Sequence, residues 1–290
     1  MKYYKLSQTA DEFIELSVRS FEQDTKESHP YYQTIGDKKR YFAYCPGCSN
    51  PITIINLYND GKTEKNGSAM PLHGRHYQHS IKDFGLYDEA SYLSCPFSKP
   101  LSFSGNAKRG SGKDSDYLKE IILEHSETLY SFATSICGIK LSENLFTKML
   151  KNFKQAEGIY YRHINKFNLP YAFLHMAHST NISYQFIGNT EIVEKIQNTS
   201  LFFTAKTGQI IAKEKLQDRP SISMYFTDHK FTTDENDEPV HSFKQIIMEK
   251  DKSTEHTILE RKITFDNYFF YRVINKNNRL RQISRNIFDC

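Results

Sequence analysis

The sequence predicts an α+β chain: an N-terminal β-hairpin module, a helical segment, and a mainly antiparallel, β-containing C-terminal domain. Three observations lead there. Two runs rich in β-branched and aromatic residues, Arg40–Tyr44 and Ile52–Tyr58, flank a short turn near the N-terminus. Between residues 117 and 166, apolar side chains recur at three- and four-residue spacings. From Ile182 onward, short strand-like runs follow one another. Strands after helices, without regular alternation, argue against a doubly wound parallel sheet.

The elements follow in order. Residues 1–39 read two ways. Thr9-Ala10-Asp11-Glu12 has the form of a helix start with Thr9 as N-cap, whereas Ile14, Leu16 and Val18 alternate with polar residues as in a strand. The runs 40–44 and 52–58 predict a hairpin, and polar residues 59–68 a loop. Residues 102–116 hold three glycines and four serines among few apolar side chains, which predicts a flexible linker. The expected division is therefore a module at 1–103, a basic linker or loop at 104–116 and an α+β domain at 117–290. Leu118, Ile121, Ile122, His125, Leu129, Phe132 and Ile136 predict one helix over Tyr117–Cys137. A second is expected from Ser142, as N-cap, to about Lys166, where Asn168-Leu169-Pro170 breaks the pattern. Leu201–Thr204, Ile222–Phe226, Thr257–Phe265 and Tyr268–Ile274 read as strands, with the acidic run 233–239 as an exposed turn.

Of 290 residues, 38% are hydrophobic and 25% charged, which excludes a disordered polyampholyte. No run approaches the roughly 18–20 apolar residues of a membrane-spanning helix. The N-terminus leads into no apolar signal core, so a cytoplasmic, intracellular protein is expected. The net charge of +4, from 38 basic and 34 acidic residues, is too mild to point to a partner by itself. Of five cysteines, three lie between Cys45 and Cys95, and Cys137 and Cys290 stand apart. That grouping favours metal over disulfides.

Cys45-Pro46-Gly47-Cys48 is a C-x2-C knuckle, whose small turn lets two thiolates grip one ion from the same side. Cys95 and one of His73, His76 and His79 are candidates for the other half. His76 is the first choice, being central in its run and preceded by Gly74, with His73 as the alternative. A Cys3His set predicts a closed, structural Zn2+ site. Asp83, Asp88 and Glu89 are the acids near enough in sequence to serve a catalytic zinc, which three thiolates disfavour. The knuckle resembles those of zinc-ribbon and zinc-finger modules in general, which implies a metal site and no particular family.

Other motifs are weaker. The stretch 105–113 lacks the spacing of a phosphate-binding loop and the Ser or Thr after its lysine. Lys108, Arg109 and Lys113 nonetheless make it a basic loop. The C-terminal run carries Arg272, Lys276, Arg279, Arg281 and Arg285 among amides and Tyr271, without an acid. Such groups suit phosphate contact and base stacking. His175 and His178 would share a helix face, with Glu157 or His163 as possible further ligands, although core or surface histidines fit as well. Glu260 and Lys262 fall on one face of a predicted strand, the pairing found in metal-dependent nucleases, with Asp228 or Asp251 as a further acid. The leading expectation is an intracellular zinc-containing DNA- or RNA-binding protein. A protein-interaction module with purely structural zinc comes second, and a nuclease using Glu260 and Lys262 third.

Overall fold

A computed structural model describes residues 1–58, 71–98, 101–213, 220–234 and 239–289. The chain divides into two units, one of residues 1–101 with 232–240, the other of 102–231 with 241–290. The expected loop at 59–68 lies outside the described residues.

In the first unit, β1 (Tyr3–Tyr4) pairs antiparallel with β2 (Ile14–Glu15), and α1 (Val18–Thr25) follows. Of the two readings of this segment, a short strand covers Ile14–Glu15, and the helix starts at Val18 rather than Thr9. Ser17 explains the shift: its hydroxyl accepts from the Ser20 amide at 3.0 Å, and the Ser20 hydroxyl accepts from the Ser17 amide at 3.0 Å. Strands β3 (Tyr32–Ile35), β4 (Lys38–Tyr44), β5 (Pro51–Ile55) and β6 (His73–His76) then build an antiparallel sheet in chain order, and a short helix, α2 (Glu89–Leu93), closes the unit. Phe42, Ala43, Ile52 and Ile54 are buried, as are Tyr4 and Phe21. Each large side chain among them contributes roughly 1.5–3 kcal/mol by leaving water.

The second unit opens with α3 (Lys113–Glu124) and α4 (Ser126–Cys137), where one helix was expected. His125 makes the break: its backbone leaves helical geometry, and its ring bonds Asn278 at 2.8 Å. Next come β7 (Ile139–Lys140) and α5 (Glu143–Gln155), capped by Ser142 as expected. α5 ends well short of Lys166. Glu157 turns left-handed, and Gly158 lies so close to the Phe153 ring that a Cβ there would sit 2.4 Å from it. Pro170 lies in the first turn of α6 (Leu169–His175), where a missing N–H is harmless, so the expected breaker opens a helix.

The remaining elements are β8 (Thr180–Asn181), β9 (Phe186–Ile187), α7 (Thr190–Thr199), β10 (Phe203–Lys206), β11 (Gln209–Ala212), β12 (Ser221–Thr233), β13 (Pro239–Lys250), β14 (Glu255–Thr264) and α8 (Phe269–Phe288). Two sheets result, ordered β10-β11-β9-β7 and β14-β13-β12-β8. The class is α+β. The strand expected at 268–274 is instead the start of α8, with Phe270, Tyr271 and Ile274 buried on one helical face. Residues 107–109 run beside 160–162 rather than standing apart: the Arg109 amide donates to the Tyr160 carbonyl at 2.7 Å and the Arg162 amide to the Ala107 carbonyl at 2.9 Å.

Candidate metal centre

Tyr44 ends β4, and Cys45-Pro46-Gly47-Cys48 turns the chain back into β5. The Cys45 amide donates to the Asn50 carbonyl and the Ser49 amide to the Cys45 carbonyl, closing the turn. Gly47 is required by space: a Cβ would lie 2.8 Å from the Phe97 ring and 3.0 Å from the Cys95 sulfur. β6 pairs with β5 so that His76 lies opposite Ile52. Strand alternation places His76 on the same face as Gly74 and turns His73 to the other face. Cys95 arrives just after α2, whose N-cap Asp88 accepts from the amides of Ala90 and Ser91.

Four ligand atoms, from Cys45, Cys48, His76 and Cys95, thereby lie within 4.8 Å of one another. The Cys45 and Cys95 sulfurs are 3.6 Å apart, and His76 Nε2 is 3.4 Å from Cys48 Sγ and 3.6 Å from Cys95 Sγ. These separations are far too long for a disulfide. The group could hold a metal ion, with three protein segments converging on it. Burial pushes the Cys45 and Cys95 thiols up, while hydrogen bonds from Cys45 and Cys95 hold Cys48 down. Three thiolates packed this closely are stabilised by a cation among them.

Asn50, which the sequence reading missed, ties the two halves together. It is buried; its side-chain amide donates to the Asp88 carbonyl at 2.8 Å, its Oδ1 accepts from the Asp88 amide at 2.7 Å, and Nδ2 reaches Cys48 Sγ at 3.5 Å. The His76 ring packs edge-on against Tyr92 of α2. His73 bonds the Pro71 carbonyl and His79 contacts the Tyr77 ring, both outside the cluster.

The basic residues divide by role. Arg109 Nη2 donates to the carbonyls of Tyr161, Arg162 and Ile164 at 2.9, 3.0 and 2.5 Å, fastening two segments of chain. Lys108 pairs with Glu157 at 2.6 Å and lies over the Tyr161 ring. Lys113 is exposed at the start of α3. On α8, Arg272, Lys276 and Arg279 share one helical face, whereas Arg281 and Arg285 project from another, and all five are exposed. Arg281 also donates to the Glu124 carbonyl at 2.5 Å.

Glu260 and Lys262 share a face of β14, but the Lys244 ammonium contacts Glu260 and lies 3.6 Å from Asp228. That cation takes the place between the two acids. Asp251 accepts from the amides of Ser253 and Thr254 in a turn. The pair His175 and His178 does not share a helix, because α6 ends at His175 and His178 is left-handed. His175 instead joins His163 and His229 around the Phe103 ring, and His229 stacks on His241. His229 Nδ1 accepts from the Phe103 amide at 3.2 Å, which leaves Nε2–H to donate to His241 Nδ1 at 3.1 Å. Burial pushes His163, His229 and His241 each down to about 4, with neighbouring histidines adding to the first two.

No protein-family model, no curated protein and no solved structure matches the chain. Among the described residues, no helix is long and apolar enough to cross a membrane.

Proposed function

We propose that the chain is a nucleic-acid-binding protein whose Cys3His cluster holds one structural Zn2+ ion. The convergence of Cys45, Cys48, His76 and Cys95 carries the zinc reading. A tetrahedral zinc with bonds of about 2.3 Å to sulfur and 2.0–2.1 Å to nitrogen sets S···S near ~3.8 Å and S···N near ~3.6 Å. The separations of 3.6, 3.4 and 3.6 Å fit that tetrahedron. Four protein ligands leave no open position for water, so the ion fixes the fold and does no chemistry. The exposed stripe of Arg272, Lys276 and Arg279 on α8 supports the nucleic-acid half of the reading.

The test has two parts. Elemental mass spectrometry on untagged protein is expected to find one zinc per chain, lost in Cys48→Ser. Titration of labelled DNA and RNA is expected to give binding that weakens steeply with salt, because phosphate contacts release counterions. No binding to either at low salt overturns the reading.

A protein-interaction module is the second reading. The observation favouring it is the exposed apolar set Leu280, Ile283, Ile287 and Phe288 on the last turns of α8. A monomeric profile that recovers no partner counts against it. The nuclease reading has less support, since Lys244 already neutralises Asp228 and Glu260. Magnesium- or manganese-stimulated cleavage is the measurement that would restore it.

A further inference from the structure

The first unit carries a groove that neither the metal cluster nor α8 uses. Two cavities of about 500 and 740 Å³ adjoin there, and Lys39, Arg40, Tyr41 and Tyr58 line both. Each is large enough for a nucleotide-sized ligand. The groove has a simple origin in strand pairing. β4 pairs with β3 over Lys38–Tyr41 but with β5 over Phe42–Tyr44. The sheet therefore opens between Lys38–Tyr41 and Ile54–Ile55, and the larger cavity is lined from both sides of that fork.

Its chemistry is specific. Lys38, Lys39 and Arg40 all line the larger cavity, Lys39 from the opposite face of β4 to Lys38 and Arg40, and no acid stands among its described lining residues. Arg40 Nε is buried and has no hydrogen-bond partner among the described residues, a donor lacking an acceptor there. Three tyrosines border the smaller cavity: Tyr32 and Tyr41 meet edge to face at 5.0 Å, and Tyr41 and Tyr58 at 5.4 Å. Of the two acids there, Glu22 accepts from the Tyr58 hydroxyl at 3.0 Å. Three cations close together beside aromatic rings suit a ligand with repeating phosphates and accessible base faces. A duplex hides those faces and a single strand exposes them.

We infer that the groove along β4 binds single-stranded nucleic acid, with phosphates on Lys38, Lys39 and Arg40 and bases against Tyr41 and Tyr58. This rests on the nucleic-acid reading above and places its single-strand contacts in the first unit.

The experiment is fluorescence anisotropy of labelled 20-nucleotide DNA and RNA strands, and of the matching duplexes, across a salt series. Wild type is compared with Lys38→Gln/Lys39→Gln and with Arg272→Gln/Arg279→Gln. Both lysines are exposed, so the fold tolerates the change. The groove variant is expected to bind single strands at least ~10-fold more weakly, with a salt slope smaller by about 1.4, or ~0.7 per lost phosphate contact. The α8 variant is expected to lose less single-strand affinity than the groove variant. Photocrosslinking of a bromodeoxyuridine strand to the wild type is expected to label Tyr41 or Tyr58. Loss of binding only in the α8 variant, or labelling only outside the groove, overturns the groove while the nucleic-acid reading stands. A duplex that binds as tightly as a single strand overturns the choice of ligand. Wild type that binds no strand of either kind overturns both.

Discussion

The two units each gather four side chains able to ligate a metal, and only one set is aimed at a point. In the first, Cys45, Cys48, His76 and Cys95 bring their ligand atoms within 4.8 Å. In the second, His163, His175 and His229 ring Phe103, and His229 spends one nitrogen on a backbone amide and the other on His241. The difference teaches that residue type does not make a metal site. Lone pairs must converge and be free of other partners, which a knuckle achieves by turning two sulfurs inward. In the second unit the same ring nitrogens serve as internal hydrogen-bond groups, held neutral by burial.

That contrast can be broken most forcefully at the metal cluster. Cys48→Ser, or a strong chelator, is expected to destabilise the first unit by several kcal/mol or more, since structural metal binding is folding free energy. Thermal unfolding with and without zinc checks it; an unchanged transition would make the cluster a set of buried thiols.

The histidine cluster predicts a different sensitivity, to acid. Its folded-state values near 4 lie below the ordinary value near 6.5, so the unfolded chain binds more protons between those limits. The contribution to stability is present above pH 6.5 and is lost as pH falls toward 4, on the order of 1–3 kcal/mol per histidine. Protonated His229 would also turn an Nδ1–H against the Phe103 amide. Chemical denaturation at pH 7.5, 5.5 and 4.5 measures the slope, and His241→Gln is expected to shallow it by about one proton.

A finer comparison concerns the groups behind the ligands. Asn50→Ala removes the two hydrogen bonds to the Asp88 backbone and is expected to weaken metal binding ~10–100-fold, read by competition with a zinc indicator. The smallest effect is expected at Lys244→Gln. Its ion pairs are exposed to solvent, and the melting temperature should stay within about 2 °C of wild type.

What was legible in the sequence was local. A C-x2-C turn between β-rich runs is written in a few consecutive residues, and Ser142 caps α5 through its own neighbours. Several of the misreadings came from partners far along the chain. His125 fits an apolar helical stripe until Asn278 supplies a bond 153 residues away. Tyr268–Ile274 is aromatic enough for a strand, but its buried residues follow a helical period that a short window does not separate. Arg109 sits in a run composed like a tether, and only the carbonyls of Tyr161, Arg162 and Ile164 reveal it as a fastening. The groove along β4 was illegible for the same reason: it exists because β4 changes pairing partner partway along its length.

The first unit draws on residues 232–240 as well as 1–101. During synthesis, every residue of the candidate cluster has been added once Cys95 is made, long before that last piece. The knuckle, β6 and α2 can therefore meet an ion while most of the second unit is still untranslated. Completion of the first unit waits on the strands that bring residues 232–240. Assembly of the ligand set and completion of the unit are thus separated in time by nearly half the chain, and a fragment ending at residue 101 would contain the whole ligand set yet lack part of its unit.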